Sequence, residues 1–249
     1  MTNVCRNVIA TVAVVLGSSV APDARPEEAQ IPGLRGAMTL GKAAVLTDGQ
    51  VIDMSTRACA LKDQTTTIAA QGSPHAERLA RLTRDFEGED GLTLEFKAYI
   101  VEEVNAWAMP NGCVRVYSGL LDAFTDDEVL GVIGHEIGHV KLGHSKAKMR
   151  TALLARGARE SAAGTSVGVI TASELGDLAE NIVNAQFSQK EERSADDYGF
   201  EFLVKHSYDP AAMVSMFRKL PARKGGFLAS HPDPEARAKR IEARLKQKH

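Results

Sequence analysis

The stretch GVIGHEIGHVKLGH, residues 131 to 144, sets His135 and His139 four residues apart with Glu136 between them. On a helix that step brings two side chains to one face, so both imidazoles can offer a nitrogen to a single cation. Glu136 falls about 100° round from His135, near enough to hold a water beside the cation without binding it. The chemistry is metal-assisted hydrolysis: the metal acidifies a water and polarises a carbonyl, and Glu136 takes the proton. Zinc hydrolases use three protein ligands and one open position, so another donor is needed. His144 is nearest, but a continuing helix would carry it to the opposite side. It reads as a helix-end histidine facing solvent or the carboxyl-end dipole. Glu192 and Asp196 serve better, because with Gly199 and Leu203 they form an i, i+4, i+7, i+11 stripe, and buried carboxylates require partners. Glu192 is then the third ligand, and Asp196 accepts the free N–H of a ligating histidine. The competing reading is an acid pair on a solvated face.

These groups need rigid carriers. Thr125 to Glu128, TDDE, is a capping box that starts a helix whose Val129, Leu130, Val132, Ile133, Ile137 and Val140 make it apolar on most sides. Such a helix is central to a fold. Gly134 and Gly138 weaken it by roughly 1 kcal/mol each, with close approach of another element as the evident return. A second long helix is expected from about Leu178 to about His206. Upstream, Ser73 and Pro74 open a helix, residues 92–100 alternate as a half-buried strand, and NAWAMPNGCVRVYSG reads as two short strands turning at PNG. Residues 156–176 are rich in Gly, Ala and Ser and read as a mobile connection or loosely packed helices. The tail from His231 turns at two prolines and ends in a charged, surface-facing helix.

HEIGH on a capped helix, EERSAD further on and SHP near the end, in that order, resemble the gluzincin metallopeptidases of the HtpX and CAAX prenyl endopeptidase family. VNAWAMPNGCVRVYSGLLD, LGDLAENIVNAQFSQKEERSADDY and HPDPEARAKRI extend the resemblance to its periplasmic, LoiP-like branch, over about residues 55–245. The resemblance implies an α+β fold: a mainly helical zincin-type domain with a small β-sheet whose edge strand flanks the active-site helix. It implies one Zn2+ per chain on His135, His139 and Glu192, with Glu136 as base and Asp196 behind a ligand. It also implies that His231 stabilises the tetrahedral oxyanion, and that the edge strand, Asn105, Ala106, Trp107 and Ala108, pairs with an extended peptide. Read without the family, His231 is a loop histidine capping the following helix. Arg237 fits the family pattern, with a salt bridge to the site and plain surface charge equally open. The implied function is a zinc metalloendopeptidase in cell-envelope protein quality control, acting on unfolded or extended polypeptides. The alternative is a non-catalytic zinc-binding or chaperone-like protein, which would not need Glu136.

With 30 basic against 32 acidic residues in 249 and a net charge of -2, no field draws in nucleic acid or an anionic membrane surface. Residues 1–24 read as a signal peptide or leader: one Arg, an apolar run from Val8 to Leu16, then small residues. The run is shorter than the ~20 residues a bilayer span takes. Cys5 precedes it, so no lipobox is seen, and membrane association stays open. Residues 25–54 read as a loosely structured lead-in and 55–249 as the metallopeptidase domain. Export to the periplasm or envelope would leave Cys59 and Cys113 as an even pair, joined as a disulfide or kept as two buried thiols.

Overall fold

The computed structural model describes residues 46–162, 170–220 and 226–247. Its centre is the helix α4, Asp126–Lys141, opened by the Thr125/Glu128 capping box and buried from Glu128 to Val140. Before it come α1, Asp48–Thr65; α2, Pro74–Thr83, capped by Ser73; and three strands. The strands are β1, Glu95–Tyr99, β2, Ala106–Ala108, and β3, Cys113–Tyr117, followed by the short α3, Ser118–Ala123. After α4 come α5, His144–Ala162, α6, Ala172–Asn184, α7, Gln189–Lys205, α8, Ala212–Lys219, α9, Phe227–Ser230, and α10, Pro234–Gln247.

The sheet runs β1-β3-β2, with β1 parallel and β2 antiparallel to β3, so β2 is an edge. It packs against α4, as the edge strand was expected to. Period-2 alternation splits β3 between two cores. Val114 and Val116 join α4, α7, α8 and α10 on one face, while Cys113 and Tyr117 join α1, α5 and α6 on the other. The two faces share one sheet, which fixes its height over α4.

Helix α7 lies against α4 through glycines. A Cβ on Gly134 would stand 2.6 Å from the Phe202 ring, and one on Gly199 would stand 3.1 Å from the His135 backbone nitrogen. The helix propensity lost at Gly134 therefore sets how near Glu192 and Asp196 come to the histidines.

Three expectations change. The helix expected over 178–206 is two, α6 and α7, parted at residues 185–188, because Ser188 and Glu191 form a capping box that starts a new helix. The lead-in is not loose to residue 54: α1 begins at Asp48 under the Thr47/Gln50 capping box, and Leu46, Val51 and Met54 are buried. Of the two readings of 156–176 the helical one holds for 156–162 and 172–176, which belong to α5 and α6; residues 163–169 lie outside the described residues. Helix α10 buries Arg237, Ala238 and Ile241 instead of lying wholly at the surface. Cys59 and Cys113 form a disulfide, their Cα atoms 6.6 Å apart. The leader, Cys5 and most of the lead-in lie outside the described residues. No described helix is long and apolar enough to cross a membrane.

Candidate metal centre and active site

Helix α4 presents His135 and His139 with their Nε2 atoms 3.0 Å apart. Helix α7 brings Glu192 to them, its carboxylate oxygens 3.6 Å from each Nε2. His231, at the end of α9, adds Nδ1 at 2.8 Å from Glu192 Oε1 and 3.2 Å from His135 Nε2. Ligand atoms of these four residues all lie within 4.8 Å of one another, and all four side chains are buried. Three imidazoles and a carboxylate converging in a buried pocket are the nitrogen and oxygen donors that zinc takes.

Glu136 points to the same place. Its carboxylate is buried, with Oε1 3.3 Å from His231 Nε2, yet that oxygen has no aligned hydrogen-bond partner. A buried acceptor left open costs about 1–3 kcal/mol, so something absent from the protein alone completes it.

Behind the donors, Asp196 Oδ1 lies 3.0 Å from His135 Nδ1. Asp196 in turn accepts from Arg237 at both oxygens, at 3.0 Å from Nε and 2.5 Å from Nη2, and Arg237 Nη1 lies 2.7 Å from Glu192 Oε2. Arg237 thus takes the salt-bridge reading of the two left open. His144 is the clear departure. Helix α4 ends at Lys141, and Gly143 turns the chain at φ 77°. That break swings His144 back, so that its Nδ1 lies 3.1 Å from His139 Nδ1 and its Nε2 3.3 Å from Ser194 Oγ. It is half-buried, with its ring against His139 instead of on the far side of the helix. Gly143 was the available signal, since glycine just past a helix end commonly takes the left-handed conformation.

Burial and neighbouring charge set the protonation of these groups in opposite directions. Burial alone would raise the Glu192 carboxyl, but the charge of His231 and the hydrogen bonds of His139 and His231 hold it far below the usual carboxylate range. The same contest lowers Asp196, with Arg237 and His135 outweighing burial. Burial pushes His139 well below its ordinary value, which keeps the imidazole neutral. For His231, burial is outweighed by the Glu192 and Glu136 charges, and its value rises.

Phe187, in the α6–α7 connection, escaped the sequence reading. It stacks on His139 with ring centroids 3.8 Å apart, and its N–H donates to the Ser230 carbonyl beside His231. A cavity of about 10 Å3 remains over the site, with Trp107, Ala108, Glu136, Ser145, Phe187 and His231 among its walls. Two of the four edge-strand residues expected to meet substrate, Trp107 and Ala108, are therefore at the cavity. Asn105 and Ala106 are buried at the start of β2, where Asn105 Oδ1 accepts from the Ala106 N–H.

A model of peptidase family M48 matches residues 74–245. Among similar proteins, metalloprotease LoiP of Escherichia coli is 42% identical over 82% of this chain and 84% of its own length. Metalloprotease YcaL of the same organism is 38% identical over 82% of this chain and 83% of its own. A putative beta-barrel assembly-enhancing protease of Vibrio cholerae is 31% identical over 58% of this chain and 33% of its own.

Proposed function

This chain belongs to peptidase family M48 and is a metalloendopeptidase, and from that premise we propose that one zinc ion, held by His135, His139 and Glu192, serves peptide hydrolysis with Glu136 as the base. Zinc bound there supplies a Lewis acid for the attacking water and the scissile carbonyl. Glu136 takes the water's proton on its carboxylate and returns it to the leaving amine. Asp196 holds His135 in the tautomer that leaves Nε2 free, and Arg237 holds Asp196. His231 donates to the oxyanion as the carbonyl becomes tetrahedral. Its ring, stacked on Phe227 and aimed into the site, fits that role better than capping α10. The edge of β2 takes the substrate backbone as an added strand.

The observation that carries this reading is Glu136 Oε1, buried among the donors with no aligned hydrogen-bond partner. A zinc-binding protein without catalysis would have no use for that carboxylate. We further place the enzyme in the cell envelope, exported by its leader, acting on unfolded or extended polypeptides in protein quality control. The name of the Vibrio relative points the same way. Purified protein should carry one zinc per chain and degrade casein, and chelator should abolish both. Zinc without any chelator-sensitive cleavage would support the chaperone-like alternative instead.

A further inference from the structure

A second cavity, of about 540 Å3, opens between α5 and α6, within the size range of ligand sites. Its α5 wall carries Lys148, Ala152, Ala155 and Arg159, spaced by four, three and four residues and so on one helix face. The alanines leave the space; the two cations leave the charge. Glu191 is the one carboxylate on the wall, and it is already used, accepting from the Ser188 N–H at 2.8 Å and the Ser188 hydroxyl at 2.7 Å. Lys148 is half-buried, and its Nζ lies 3.7 Å from the centroid of the Phe187 ring. Among the described residues no carboxylate stands within ion-pair distance of it. Burial brings its pKa down to about 8 in spite of the negative charges of Glu136, Glu192 and Glu191. Such an ammonium is short of a partner.

Lys148, Ile182 and Phe187 line both this cavity and the small one over Glu136 and His231. A side chain flanking a scissile bond at Glu136 therefore has this wall as its neighbour.

We propose that the cavity between α5 and α6 receives an acidic side chain of the peptide substrate next to the scissile bond, and that Lys148 selects it. The proposal rests on the peptidase reading and adds a substrate preference to it. An aspartate or glutamate would pair with the ammonium while its methylenes meet the alanines and Phe187. A lysine would meet like charge, and a glutamine would leave the cation unpaired.

The test uses the zinc-loaded full chain and three quenched peptides that differ only in Glu, Gln or Lys beside the bond cleaved, the bond being located by mass spectrometry. The expected kcat/KM for the Glu peptide exceeds that for the Gln peptide about tenfold, the scale of one charge-assisted contact. In Lys148→Gln the ratio should fall to about one, and in Lys148→Glu the Lys peptide should become the best of the three. Each ratio is taken within one enzyme, so a uniform loss of rate from altered packing leaves it unmoved. A wild-type ratio near one, or a preference that survives Lys148→Gln, overturns the proposal while leaving the peptidase intact. Cleavage of none of the three peptides by zinc-loaded enzyme overturns the peptidase reading, and this proposal with it.

Discussion

Two arginines are buried in this protein with two carboxylates each, and they end in opposite states. Arg115, on β3, donates to Asp63 from Nε and Nη2 at 2.8 Å, to Glu95 from Nη2 at 2.7 Å and to the Glu95 carbonyl from Nη1 at 2.9 Å. Asp63 also accepts from Tyr99 at 2.6 Å and Lys97 at 2.8 Å. No side-chain polar atom of that cluster is buried without a partner. In the site that Arg237 supports the count does not close: Glu192 Oε2 meets Arg237 Nη1 at 2.7 Å, but Glu136 Oε1 and Ser145 Oγ, at the cavity, are buried without a hydrogen bond. Buried charge that is fully paired fastens elements together, here α1 to the sheet. Buried charge left incomplete keeps room for something that arrives later. Both clusters pair an arginine with carboxylates; the histidines and the lack of saturation set the second apart.

The sharpest way to break this comparison is Glu136→Gln. It removes the open carboxylate and leaves the ligands, so turnover should fall by roughly 10²- to 10⁴-fold while zinc content and melting temperature hold. Unchanged turnover would show that the open oxygen has no part in the chemistry.

Asp63→Asn tests the paired cluster and should do the reverse. Taking one partner from a buried ion pair costs about 3 kcal/mol, at the low end of such losses because Glu95 remains. Zinc content should be unaffected. Burial would raise the Asp63 carboxyl, but the hydrogen bonds of Arg115, Lys97 and Tyr99 hold it down at about 2. A carboxyl lower in the folded than in the unfolded state stabilises the fold above about pH 4, and that contribution is lost as the pH falls to about 2. Melting curves of the wild type should show a loss across that window that the variant lacks. A variant that instead lost zinc at neutral pH would make both clusters parts of one site.

The supports of the ligands should give smaller effects. Asp196→Asn should weaken zinc binding by roughly 10- to 100-fold, the usual scale for a group behind a ligating histidine. His144→Ala should fall at or below the lower end of that range, because His139 is also held by the Phe187 stack. A competitive chelator titration measures both. A larger loss for His144 than for Asp196 would invert the ranking given by their burial, since Asp196 is fully buried and His144 only partly so.

What was legible in advance follows from how local each signal is. The HEIGH face, the TDDE box and the stripe of Glu192, Asp196, Gly199 and Leu203 depend on helical period alone, and each is where that period puts it. Two capping boxes, at Thr47 and Ser188, were equally local, and overlooking them lengthened one helix and dissolved another. The direction of His144, not its standing outside the ligand set, departs for a physical reason: the opposite side follows only from a continuing helix, and a single left-handed glycine ends that helix first. The parallel pairing of β1 with β3, the Arg115 cluster and the cavity beside Lys148 join segments that no local pattern relates. Tertiary packing alone sets those.

The disulfide has a mechanical consequence. Cys59 and Cys113 are 54 residues apart in the chain, and the loop they close holds α2, β1 and β2. A force applied at the two ends of the oxidised protein, as by a translocating unfoldase or an optical trap, passes through the sulfur bond and bypasses that loop. At about 3.4 Å per extended residue, roughly 180 Å of contour length stays hidden from the pull until the bond is reduced. The edge strand that lines the cavity over Glu136 and His231 therefore lies in the part of the chain that tension cannot straighten.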